Sequence, residues 1–222
     1  MPSVSLFVGP TAYGVAPSVL AAPGMTIRPP ARRGDIEALL QSTKRPAVIV
    51  LCDGIFHDHP AVSHAELCQA LDAGWQVWGV SSLGAIRAFE LRDEGMRGFG
   101  YVRAQFDRHD DFTDDEMSLL YFPEPPYFPI SEPLVNLRYA LEERRSALGI
   151  ETAAAKRALR SLRELWFGDR TLARMRQALI EDGRVAAATA DALLAWLQAN
   201  RAKTLDLIAV LEARPWQRVV TR

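Results

Sequence analysis

Ala47-Val48-Ile49-Val50-Leu51-Cys52 is the stretch that leaves this chain the fewest choices. All six residues are apolar and three of them are β-branched. A strand with one wet face alternates apolar and polar residues. A run without alternation reads as a strand covered on both faces, the situation inside a parallel sheet. The residues that follow keep to this reading. Ala61 to Ala73 has helical spacing and is closed by Gly74, and Ser63 and Glu66 have the spacing of a capping box. Trp75 to Gly79 is the next strand-like run. The chain then breaks at Ser81-Ser82-Leu83-Gly84 and continues as a helix with Ala85, Ile86 and Phe89 on its apolar side. Strand, helix, strand, helix in this order implies a parallel sheet with right-handed crossovers.

Outside this centre the signals are shorter. Val4–Val8 reads as a first strand, stopped by Gly9-Pro10-Thr11, and Met25–Arg28 as a second. Gly34–Leu40 reads as a short helix. Gly95-Met96-Arg97-Gly98-Phe99-Gly100 lacks the strand-to-helix setting of a dinucleotide fingerprint and reads as a turn. Thr113 to Glu116 has capping-box spacing ahead of Met117-Ser118-Leu119-Leu120. Pro123 to Pro129 is a rigid aromatic loop, and Ser131-Glu132-Pro133 opens a helix striped by Leu134, Leu137 and Leu141. From Glu151 onward the pattern is helical only, in four stripes, of which the first, second and fourth are stopped by Gly168, Gly183 and Pro215. The expected class is α/β: a parallel sheet flanked by helices over residues 1–149, with an α-helical C-terminal extension over 150–222. The extension gathers no nucleophile, base or metal ligand, so docking is its expected task.

Charge and cysteine content narrow the function. The net charge is -1, which speaks against a general nucleic-acid binder. Residues 151–222 hold 13 Lys and Arg against 8 Asp and Glu, and residues 1–150 hold 13 against 19. Cys52 and Cys68 make no disulfide framework. The first residues, Met1-Pro2-Ser3-Val4-Ser5, show no basic signal region, and no apolar run approaches the ~20 residues of a membrane span. A cytoplasmic, reduced setting is expected, with no membrane contact.

The residues that can carry chemistry converge by topology. Asp53 and Ser82 each follow a strand at its carboxyl end, the edge where open α/β sheets place their sites. His64 opens the helix between them and lies at the same edge. Val80-Ser81-Ser82-Leu83-Gly84 keeps the second glycine of a nucleophile elbow and lacks the first. On this reading Ser82 is the nucleophile, His64 its base, Asp53 the orienting acid and the Leu83 N–H an oxyanion donor. Arg87 would hold an anionic group. The opposing reading is structural: the serines cap a helix, His64 packs, Glu66 caps and Arg87 pairs with Glu90. His57, His59, Cys52, Asp53 and His64 are ligand types without a zinc spacing, so no metal or other cofactor is expected.

Several of these motifs in order resemble the TfuA-like proteins. They are Cys52-Asp53-Gly54-Ile55-Phe56, Ser63-His64-Ala65-Glu66-Leu67, Ser82-Leu83-Gly84-Ala85-Ile86-Arg87-Ala88-Phe89-Glu90 and Ser131-Glu132-Pro133-Leu134. The resemblance runs over about residues 4–138. It is carried by the pattern D-G-x-F, H-x-E-[IL] and S-x-G-A-[LI]-R-A-x-E, and it matches Asp53, His64, Glu66, Ser82, Gly84, Arg87 and Glu90. Ser81 stands where that pattern has a small apolar residue. The resemblance implies an accessory protein of a YcaO enzyme, which activates a backbone amide of a ribosomal peptide or protein with ATP so that sulfur replaces the oxygen. It further implies a part in sulfur supply. Combined with the serine site, the expected reaction is hydrolysis of a thiocarboxylated ubiquitin-like sulfur carrier to release sulfide. The peptide would be met through YcaO. The alternative is a non-catalytic adaptor for YcaO, its peptide or the carrier.

Overall fold

The computed structural model describes residues 3–43, 45–55 and 59–218. They form two compact units, one from Met1–Phe112 with Asp206–Arg222 and one from Thr113–Leu205.

The first unit is built on one parallel sheet. Its strands are β1 (Val4–Phe7), β2 (Met25–Arg28), β3 (Val48–Leu51), β4 (Gln76–Val80) and β5 (Arg97–Phe99), in the order β2-β1-β3-β4-β5. The central strand β3 pairs Val48 with Val4 of β1 and with Gln76 of β4. Its side chains divide between two cores. Val48 and Val50 join Val4, Leu6, Val8 and Val80 on one face. Ile49 and Leu51 join Phe7 and Val77 on the other. With both faces covered, β3 has no need of alternation.

The second of these faces is covered by α2 (Asp35–Ser42) through Ile36 and Leu39, by α3 (His64–Asp72) through Leu67 and Ala70, and by α4 (Leu83–Glu90) through Leu83 and Ala88. The first is covered by Leu207, Val210 and Leu211 of a C-terminal helix and by Trp216 in the 3-10 turn after it. A short helix, α1 (Pro17–Leu20), links β1 to β2. The capping box expected at α3 is formed: Ser63 Oγ accepts the Glu66 N–H at 3.3 Å and Glu66 Oε1 accepts the Ser63 N–H at 3.1 Å.

One expectation for this unit is corrected. The glycine-rich stretch read as a turn contains edge strand β5, with Arg97 opposite Trp78 and Phe99 opposite Val80. A helix, α5 (Gly100–Arg108), follows it directly. Three residues with a glycine in the middle carry no periodicity, so the sequence signal was too short to see. Gly98 leaves room for the Arg103 side chain, which lies where a Cβ would point.

The second unit is helical. It holds α6 (Leu134–Arg144), α7 (Thr152–Arg163), α8 (Leu172–Glu181) and α9 (Ala187–Ala199). Their stripes meet in one core: Leu134, Leu137 and Leu141 of α6, Ala158 and Leu162 of α7, Met175 and Leu179 of α8, Leu193 and Leu197 of α9. The boundary expected at residue 149 therefore falls inside this unit, because α6 shares its core with the helices after it. The division on the C-terminal side falls within α10 (Ala202–Ala213). The capping box expected at Thr113 is not made, since Thr113 gives no side-chain cap bond. Glu116 is buried and is held by Arg138 and Arg163 instead. Among the described residues no helix is long and apolar enough to cross a membrane.

Candidate functional site

The strand order reverses direction between β1 and β3, and open α/β sheets bind ligands outside the carboxyl ends of the strands at such a switch. Asp53 lies there, as its position after β3 requires. Its carboxylate is buried and fully engaged. Oδ2 accepts the N–H of Gly9 at 2.8 Å and of Thr11 at 3.0 Å, and Oδ1 accepts the Thr11 hydroxyl at 2.7 Å. Asp53 thus ties the loop after β1 to the end of β3. It makes no bond to His64.

One strand further on, β4 ends in a strained turn. Ser81 has φ +63, and the Ser82 N–H reaches back to the Val80 carbonyl at 2.8 Å. That three-residue turn with a positive φ is rare. Ser82 itself, at φ -116 and ψ -122, lies outside the helical and extended regions. Two glycines make the turn possible. A Cβ on Gly79 would meet the Gly84 carbonyl oxygen, and a Cβ on Gly84 would meet the Leu51 carbonyl oxygen. The start of α4 therefore rests directly on the backbone of β3 and β4. The Gly84 N–H donates to the Cys52 carbonyl at 3.1 Å, and the N–H groups of Ala85 and Ile86 donate to Ser82. Leu83 is left with a first-turn N–H that donates to none of the described residues.

The sequence favours Ser82 as the elbow residue because Gly84 stands two places after it. The strain falls one residue earlier. Read from Ser81, the glycine two places before is Gly79, and that Gly-x-Ser was the available signal. Ser82 gives α4 no side-chain cap, so capping does not explain it. Ser81 is 0% exposed and Ser82 4% exposed.

His64 stands apart from the turn. Its side chain is 52% exposed, and its Nε2 lies 2.8 Å from Glu90 Oε2. The same oxygen is paired with Arg87 Nη1, and the Arg87 Nε–H donates to the Val62 carbonyl at 3.1 Å. Glu90 lies eight residues beyond Ser82 along α4, about 12 Å of helix rise. Ser82 and His64 share no hydrogen bond among the described residues. Glu90 is the acid that orients His64, where Asp53 is the one the sequence suggests. The periodicity of α4 pairs Glu90 with Arg87 and gives no sign of a helix-to-helix partner. Glu66 completes its capping box and also accepts the Gly34 N–H at 2.7 Å through Oε2, so it holds the loop ahead of α2.

Cys52 is fully buried, and burial pushes the Cys68 thiol up, with Glu94 and Asp72 adding to the shift. Among the described residues no group of three or more His, Cys, Asp or Glu is placed to hold a metal ion, and His57 lies outside those residues.

What the arrangement offers is a strained serine turn with a helix N-terminal N–H beside it, and separately an exposed histidine–carboxylate pair. No curated protein matches the chain. The family model of the TfuA-like proteins matches residues 53–171, more than half of the chain, from Asp53 through the serine turn and on to Thr171. The chain belongs to the TfuA-like family.

Proposed function

We propose that this protein is the accessory protein of a YcaO enzyme in backbone thioamide formation, and that it supplies sulfide at the serine turn. Family membership supports a role in thioamide-forming systems. The observation that supports chemistry at the turn is the strain on Ser81, at φ +63 between a strand and a helix. Strained backbone of this kind costs on the order of 1–3 kcal/mol and survives where the surroundings enforce it, chiefly at functional sites. In the reaction a serine Oγ attacks the thiocarboxylate carbon of a ubiquitin-like carrier. The carbon–sulfur bond breaks, the serine proton passes to the departing sulfur so that hydrosulfide leaves, and water then hydrolyses the acyl-serine ester to a carboxylate and the free serine. The Leu83 N–H is the donor for the developing oxyanion. Ser81, which carries the strain, and Ser82, which the sequence favours, are the two candidates for the nucleophile. His64 and Glu90 act on substrate at the rim, with Arg87 holding Glu90 in place.

A second reading, an adaptor without chemistry, is favoured by one observation. His64 is spent on Glu90 and Asp53 on Gly9 and Thr11, so neither reaches Ser82. Sulfide release from a thiocarboxylated carrier separates the two. Ser81→Ala, Ser82→Ala and His64→Ala proteins are assayed beside the wild type, with folding checked by circular dichroism. Loss of the nucleophile is expected to lower the rate by three orders of magnitude or more. Unchanged release in both serine variants would sink the hydrolase reading and leave the adaptor.

A further inference from the structure

From Ser118 to Ile130 no residue of the second unit is buried. An exposed loop of this length is ordinarily polar. This one carries Tyr121, Phe122, Tyr127, Phe128 and Ile130, and it is built as an arm. The Phe122 N–H donates to the Phe128 carbonyl at 3.0 Å, and the Ile130 and Ser131 N–H groups donate to the Leu120 carbonyl at 2.8 and 3.1 Å. At the foot the Leu120 N–H donates to Ser131 Oγ at 2.8 Å, and at the tip the Tyr127 N–H donates to the Glu124 carbonyl at 2.8 Å. The rings pair across the arm, Tyr121 with Tyr127 and Phe122 with Phe128, each at 6.2 Å between centroids. Pro123, Pro125, Pro126 and Pro129 fix their own φ angles. Below the foot, Glu132 is buried and accepts from Arg201 and Asn136, and its N–H donates to the Arg170 carbonyl.

All this order displays apolar surface. Phe122 is 56% exposed, Phe128 48% and Ile130 41%. The segment of the second unit that carries the arm has charge of one sign in sequence: residues 113–137 contain five Asp and Glu and no Lys or Arg. Three of these acids are used within the unit: Asp115 by Arg170, Glu116 by Arg138 and Arg163, Glu132 by Arg201. Glu124, at the exposed tip, has no ion-pair partner among the described residues.

We infer that the arm Leu120–Ser131 is the docking surface for a protein that presents an apolar pocket rimmed by Lys or Arg. On the reading above that protein is the YcaO enzyme, and the inference rests on that reading. The aromatic pair is held in place before binding, so little side-chain freedom is lost on docking. Aromatic anchors in a desolvated pocket dominate binding energy, and the lone acid at the tip supplies steering and salt dependence.

The test is calorimetric titration of the full-length protein with the purified YcaO protein of the same genome, at low and high salt. Phe122→Ser/Phe128→Ser is expected to weaken binding at least tenfold. Glu124→Lys, at an exposed tip that folding does not need, is expected to weaken it severalfold and to remove the salt dependence. Thermal unfolding and sulfide release should match the wild type in both. Wild-type affinity in both variants overturns the arm as the docking surface. So does a wild-type dimer in sedimentation that the double variant turns into a monomer, since a second copy would then cover the arm. If the wild type itself does not bind YcaO, the partner reading fails and takes this inference with it.

Discussion

At Gly84 the backbone of α4 touches the Leu51 carbonyl of β3, and a Cβ there would occupy the place of the oxygen. In an exposed helix Gly→Ala stabilises by roughly 1 kcal/mol. Here the methyl group must push α4 off the sheet. Gly84→Ala is expected to destabilise the fold by about 2 kcal/mol or more, read as a lower denaturation midpoint in guanidinium. Asp53 is the other residue where position and use part company. Its place at the rim follows from Val48–Leu51 alone. Its partners do not, because Gly9 and Thr11 lie more than forty residues away in the chain and nothing local marks their N–H groups as seeking an acceptor. The same holds for Glu90. A helix pattern shows its partner Arg87, three residues back, and is blind to His64 on another helix.

The junction of β5 and α5 shows what an element needs that periodicity does not report. Gly100 opens α5 with φ +95, and a Cβ there would run into the Asp206 carboxylate. That carboxylate accepts the N–H of Tyr101 at 2.7 Å and of Val102 at 2.8 Å, so a residue a hundred positions later caps the helix. Burial pushes Asp206 up to about 7, against the pull of the two backbone N–H groups. The folded protein then holds this proton more tightly than the unfolded chain does. The stability tied to it is whole below about pH 4 and is lost as the pH rises through 7, a change on the order of a few kcal/mol. Asp206→Asn keeps one acceptor oxygen and removes the titration. Thermal melts between pH 5 and pH 8 should fall with pH in the wild type and stay nearly level in the variant. By contrast, the elements whose signals are local, such as β3 and the capping box of α3, are readable from residues within a few places of each other.

For the molecule as a whole, the class and the central order of strands follow from a handful of apolar runs, and the division of the chain does not. Leu134, Leu137 and Leu141 look like the last helix of the sheet domain in sequence, yet their core partners are Leu162, Met175 and Leu197. Leu207, Val210, Leu211 and Trp216 look like the last stripe of a helical extension, yet they cover Val4, Leu6, Val48 and Val50. A stripe tells that a face will be buried and not against what. Truncation after Gly149 should therefore damage both units, leaving the α6 stripe and one sheet face bare. The fragment is expected to aggregate or to bind a hydrophobic dye, where an autonomous domain would unfold cooperatively. The placement of Leu207 to Trp216 also sets a schedule for synthesis. All five strands have been synthesised once Phe99 is made, but the residues that shield Val4, Leu6, Val48 and Val50 are more than a hundred codons away. At roughly 5–20 residues per second, the nascent sheet waits on the order of 5–20 s with an oily face toward water. During that interval the chain is a natural client for a ribosome-associated holdase, and clusters of slow codons between Phe99 and Leu207 would lengthen its exposure.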